Sequence, residues 1–252
     1  MKTNNTTDKH MLLVLSDKGG TGKTLFSRGL ADYLQRHQQL EHTLLVDGDG
    51  EVGQLLQFYR NFGVISAQIT KPDQRDDFIN ILESDKNRIV VDLPAASLTH
   101  LTALEAEMGF LDLVKTHGYR LTLCNVISPF KASIRSVKAM AEWAGSQADY
   151  VVIKNRFFGL DEEFHLYQSG QGKKAMDHYN GLEIELPMIS SGVLAAIDVL
   201  NQPFCQALES PELKLAYRCR INRWLDELDN QLNKLSLLPE QVHESAGISA
   251  TA

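Results

Sequence analysis

Residues 17–24 read Asp17-Lys18-Gly19-Gly20-Thr21-Gly22-Lys23-Thr24, and the reading of this octapeptide decides the fold. An apolar run, 11–15, precedes it and a segment with helical spacing begins at Leu25, so the order is strand, glycine loop, helix. Gly19, Gly20 and Gly22 carry no Cβ, which lets successive backbone N–H groups turn inward around an anion at the N-terminus of the following helix. In such a loop Lys23 reaches the β- and γ-phosphates of a nucleotide, and the Thr24 hydroxyl sits on a magnesium ion. The standard pattern has glycine five residues before Gly22. Here that position is Asp17, and a second lysine, Lys18, follows it directly. The competing reading is a glycine-rich turn with two solvated lysines, and the flanking strand and helix signals argue against it.

Working outward, Phe26, Leu30, Tyr33 and Leu34 continue the helix at the right spacing. A short apolar strand over 42–47 then ends in Asp47, and Gly48-Asp49-Gly50-Glu51 makes a turn. Acids alternating from Asp47 suggest a calcium loop, but Val52 stands where that loop needs glycine and Phe58 where it needs glutamate. A strand is expected over 63–69 and a helix from 73. The run 88–92 is a buried strand ending in Asp92, followed by Leu93-Pro94-Ala95-Ala96. An acid emerging at the carboxyl end of such a strand is positioned to face a metal ion. A long helix broken near Gly109, a strand over 119–126, a helix through Ile134 and Ala144, and a strand over 149–154 follow. The last strand spans 181–186 and is closed by Pro187. The remainder is helical, with Ile221, Leu225, Leu228, Leu232 and Leu235 forming a heptad-like stripe, a pattern that more often packs on its own domain than on a partner.

Strands alternating with helices predict an α/β fold: a mostly parallel twisted sheet with helices on both faces. A chain of 252 residues with a 43% hydrophobic fraction can bury one large core. The expected organisation is a flexible N-terminus over 1–10, a single P-loop domain over 11–238 and a disordered tail over 239–252. Net charge is -7, which argues against a surface coated for nucleic acid and leaves a local basic patch open. Cys124, Cys205 and Cys219 are odd in number and far apart, so no disulfide framework or paired zinc site is expected, and a reducing cytoplasm fits. No apolar run approaches a membrane span.

The lysine-glycine-glycine-any-glycine-lysine-threonine loop resembles the deviant Walker A loop of the ParA/MinD superfamily of dimeric ATPases. The resemblance covers roughly 11–205. It implies ATP and Mg2+ as ligands, with the nucleotide held by Lys18, Gly19, Gly20, Thr21, Gly22, Lys23, Thr24 and Leu25. It assigns Lys18 to the partner subunit's nucleotide, so a homodimer on ATP binding is implied. By the same resemblance Asp49, the second acid of the acid-any-acid turn, is expected to orient the attacking water and the magnesium shell, with Asp47 in support; a plain turn at the strand end is the alternative for both. Asp92 matches a Walker B acid, so the metal shell comprises Thr24, Asp49 and Asp92. Alanine stands at Ala96 where the family often has glycine. Asn155-Arg156 occupies the place where the family's asparagine reads adenine, although an asparagine capping a strand end is the alternative. The segment Lys154-Asn155-Arg156-Phe157 does not match a guanine reader. Backbone beyond Pro187, at Met188, Ile189 and Ser190, is assigned to the base.

By the same resemblance the chain looks like a short ParA-like ATPase, slow without a stimulating protein partner, that positions or maintains DNA or a DNA-associated complex in plasmid partition, stability or transfer. The 235–252 end has no lysine or arginine, unlike a MinD-type membrane helix. The cysteines do not suit an iron–sulfur carrier or an arsenite pump. Lys214, Arg218, Arg220 and Arg223 can meet the phosphates of nonspecific DNA or form a solvated helical face. The alternative function is a slow nucleotide-dependent scaffold factor acting through protein partners without DNA.

Overall fold

The computed structural model describes residues 9–50 and 53–237. Residues 1–8 of the segment expected to be flexible, and the tail expected over 239–252, lie outside the described residues. The first strand, β1 (Lys9–Leu15), begins two residues before the apolar run and is buried from Met11 onward. Its side chains divide by alternation. Leu12 and Val14 enter one apolar cluster, and Met11, Leu13 and Leu15 enter another. A strand apolar at every position is what a sheet covered on both faces requires.

β1 joins β2 (Thr43–Asp47), β3 (Ile65–Ser66), β4 (Arg88–Asp92), β5 (Tyr119–Ile127), β6 (Asp149–Asn155) and β7 (Leu182–Leu186) in one sheet of order β3-β2-β4-β1-β5-β6-β7. Every pairing is parallel. The α/β class read from the sequence is therefore the observed one. The chain places β2 to β4 on one side of β1 and β5 to β7 on the other. Its direction of progress reverses at β1, and the crevice outside the carboxyl end of that strand is where open parallel sheets bind ligands.

One face carries α1 (Lys23–Arg36), α2 (Gln54–Tyr59), α9 (Ser191–Leu200), α10 (Phe204–Glu209) and α11 (Leu215–Leu232), all packed with Leu12 and Val14. The other carries α3 (Arg75–Asn80), α4 (Ser97–Met108), α5 (Phe110–Thr116), α6 (Lys131–Ala144), α7 (His165–Gln168) and α8 (Gln171–His178). Gly109, at φ +68°, ends α4 and opens α5, which is the break expected there. The leucine stripe packs on its own domain: Ile221, Leu225, Leu228 and Leu232 are buried against α1, where Gly29 leaves room for Trp224 and Leu228. The strand expected over 63–69 shrinks to two exposed residues. It pairs only with Val46 and Asp47 at the sheet edge, after which Ala67 and Ile69 turn down into the core. Among the described residues, no helix is long and apolar enough to cross a membrane.

Candidate functional site

The glycine loop connects β1 to α1. Gly20 and Gly22 have φ of +75° and +101°, a left-handed backbone that glycine adopts without the clash a Cβ brings. Gly22 stands at the start of α1 with no side-chain cap, and no acid occupies the first turn of that helix. The first N–H groups and the positive end of a 14-residue helix thus open onto the loop without a competing carboxylate. A Cβ on Gly22 would run into Asn155 Nδ2. Thr21 is buried, with its hydroxyl turned back to the Lys18 carbonyl at 3.5 Å.

Three acids converge beside the loop. Asp92, at the end of β4, is buried; its carboxylate accepts from Ser27 Oγ at 3.0 Å and from the Thr24 hydroxyl. Burial nevertheless pushes its pKa up to about 7. Asp47 lies beside it in register across β2 and β4. The Gly48 N–H donates to the Asp92 carbonyl at 2.8 Å, and a Cβ at Gly48 would stand 2.8 Å from that same oxygen. Glycine at 48 is what lets the turn lie directly on the end of β4. The Asp47 carboxylate accepts the N–H groups of Asp49 at 3.0 Å and Leu56 at 2.8 Å, which makes it a cap for the turn and for α2. Asp49 lines the cavity instead. Lys23 is buried, and desolvation lowers its pKa against the pull of Asp92 and then Asp49.

These residues surround a cavity of about 550 Å³. Gly19, Gly20, Gly22, Lys23, Thr24, Leu25, Asp49, Asn155 and Pro187 line it, together with Gln54, Ala95, Phe157, Ile189 and Leu194. Asn155 ends β6 with its amide engaged on both sides: Nδ2 donates to the Thr21 carbonyl at 2.7 Å, and Oδ1 accepts from the Phe157 N–H at 3.0 Å. Arg156 is placed elsewhere. Its guanidinium pairs with Glu185 and, at 3.1 Å, with Asp161, in a separate cleft that it shares with Met188. Lys18 is exposed and outside the cavity lining, its Nζ 4.0 Å from the centroid of the Phe130 ring.

Sequence reading did not assign Ser27, Gln54, Phe157 or Leu194. Ser27 leaves a local trace, being a small polar residue one turn beyond Lys23 beside the core-facing Phe26. The others are carried in by α2, α9 and the turn after β6, and no local pattern marks them. Among the described residues, no three His, Cys, Asp or Glu side chains cluster as a metal site. The donors present still fit magnesium: a carboxylate beside a hydroxyl, with a second carboxylate at the cavity wall, suits an ion that takes one or two carboxylates and completes its shell with water and phosphate.

A glycine loop with two lysines after the central strand β1, and acids at the ends of the adjacent strands β2 and β4 on one side of it, define a P-loop fold with a phosphate-type site. No family model matches the chain. It is 25% identical over 222 residues to Protein MobD of Acidithiobacillus ferrooxidans, covering 87% of this chain and 94% of that protein. A ParA family ATPase from Chlorobium tepidum TLS superposes with a TM-score of 0.51 at 14% identity, over 86% of this chain and 98% of that one. A nucleotide-binding protein from Archaeoglobus fulgidus in complex with ADP gives a TM-score of 0.50 at 15% identity, over 82% and 90%. The fold is thus the one adopted by a ParA family ATPase, as the loop led us to expect.

Proposed function

We propose that the chain is an ATP-dependent dimerisation switch of the ParA/MinD type, an ATPase that is slow without a stimulating protein and that positions or maintains DNA or a DNA-associated complex in the cytoplasm. The observation that carries this reading is the different placement of the two loop lysines. Lys23 is buried beside Asp92 and Asp49, whereas Lys18 stands exposed outside the cavity against Phe130. One serves the nucleotide of its own subunit, and the other is positioned to reach that of a second copy. Lys23 and the loop N–H groups hold the phosphates, Asp49 orients the attacking water, and Leu25, Asn155 and Pro187 lie toward the nucleoside. Thr24, Asp92 and Asp49 would hold Mg2+, which supplies charge neutralisation at the phosphates.

The test is sedimentation velocity with ADP against a nonhydrolysable ATP analogue, paired with turnover assays. The unmodified chain is expected to dimerise with the analogue alone. Lys23→Ala loses nucleotide binding, Lys18→Ala binds ATP as a monomer without turnover, and Asp49→Ala accumulates the ATP dimer. A Lys18→Ala chain that dimerises and hydrolyses normally overturns the role in trans.

The scaffold reading, in which partners are proteins alone, draws on the state of the basic cluster at the start of α11. Arg218 Nε is bonded to the Leu213 carbonyl and Arg223 to Glu227, which leaves Lys214 and Arg220 as the cluster's exposed cations with no such bond among the described residues. Salt-sensitive retention of the ATP-bound chain on duplex DNA supports the DNA role. Indifference to DNA at low salt supports the scaffold.

A further inference from the structure

We infer that Phe157 is the platform on which the nucleotide base stacks, and that Asn155 braces the phosphate loop. This rests on the ATP reading above. Asn155 is 4% exposed, and its amide spends one donor on Thr21 and one acceptor on Phe157. Those two bonds leave it one N–H and one oxygen lone pair, and the Nδ2 bond ties β6 to the glycine loop. The Oδ1 bond fixes the backbone of Phe157.

Phe157 is 57% exposed on the cavity wall. An aromatic ring left open to that degree is informative, because covering it releases apolar surface from water. Its position is nonetheless fixed. It packs perpendicular to Phe158 with centroids 5.4 Å apart, and Phe158 packs edge-on against Phe130 at 6.1 Å. The other apolar residues lining the same cavity include Pro187, Ile189 and Leu194, which approach from β7 and α9. A flat heteroaromatic ring lying between them and Phe157 would be covered on both sides. A ring already held by its neighbours loses little conformational freedom when it is stacked upon.

The two residues then have separable signatures. Phe157 should matter to ligands that carry a base, and Asn155 to any ligand that fills the loop. Calorimetric titration with ATP and with inorganic tripolyphosphate, each with Mg2+, distinguishes them. Phe157→Ala and Phe157→Leu are expected to weaken ATP by about 5- to 150-fold, the range that loss of one base–aromatic stack implies. Both leave tripolyphosphate unchanged, and Phe157→Tyr retains ATP affinity. Asn155→Ala weakens both ligands together. As a direct reporter, Phe157→Trp should gain emission that ATP quenches and tripolyphosphate does not, over the background of the two native tryptophans.

ATP affinity unchanged in Phe157→Ala and Phe157→Leu overturns the platform, as does an equal loss for both ligands; a Phe157 needed only for dimerisation gives the first of these. If the unmodified chain binds neither ligand, the ATP reading itself fails. If it binds both and Phe157→Ala behaves normally, only the platform does.

Discussion

Ala96 sits at φ +59° immediately before α4, where the family resemblance favours glycine. A left-handed backbone costs an L-residue about 1–2 kcal/mol, and glycine in its place costs some unfolded-state entropy. The conformation persists because the turn after β4 is fixed at both ends. Leu93 N–H bonds to the Val14 carbonyl at 3.0 Å, and Ala96 N–H reaches the Ser16 carbonyl at 3.4 Å. Ala95, between them, lines the cavity. Ala96→Gly should therefore stabilise the chain by about 0.5–1 kcal/mol, read as a higher urea midpoint at unchanged m. An unmoved or lower midpoint means that the turn stores no strain. The departure from glycine was visible in the sequence, but its backbone angle was not, since nothing in Pro94-Ala95-Ala96 announces a positive φ.

At the scale of elements, α2 shows why parts of this fold were not legible. Six residues are too few for a helix to stand alone, and Gln54 to Tyr59 show no helical period long enough to read. The helix exists because Leu55, Phe58 and Tyr59 are buried, the Tyr59 hydroxyl donates to the Arg28 carbonyl at 2.8 Å, and the Asp47 carboxylate accepts the Leu56 N–H. A cap nine residues upstream leaves no spacing signature. Asp47→Ala should cost about 1–2 kcal/mol, the usual range for a lost helix cap. Hydrogen exchange should rise over 53–59 while β4 and α1 keep their protection, and Asp47→Asn, with one acceptor oxygen left, should recover part of it. Uniform exchange across the chain would reject the cap. By contrast, β1, β4 and α1 were readable because long apolar runs and a sustained helical period are local properties. Of the apolar wall of the cavity, Pro187 and Ile189 were reached through the family resemblance, but Phe157 and Leu194 were not, because they join those residues only once the strand order is known.

Across the whole molecule, burial of acids should set how stability responds to pH. Asp32 in α1 and Asp47 and Asp92 at strand ends all have pKa values raised by desolvation, that of Asp92 to about 7. The sign follows from proton counting. Between an ordinary carboxylate pKa and the raised folded value, the folded chain holds a proton that the unfolded chain lacks, so unfolding free energy falls as pH rises. For Asp92 that window runs from 3.8 to about 7. Asp161 and Glu185 act in the opposite direction, held low by Lys154 and Arg156 respectively, but Asp161 is exposed and Glu185 partly so, and solvent screens them. The nucleotide-free chain should thus lose thermal stability from about pH 5 to about pH 7, with Asp92 contributing a slope of up to about one proton. Asp92→Asn, which stays neutral throughout, should flatten the profile and raise Tm most at the upper end. Melting the two proteins across that range in low salt measures it. A wild-type midpoint that climbs with pH, or a variant that keeps the full slope, would mean that water or a neighbouring cation already compensates the charge at the end of β4.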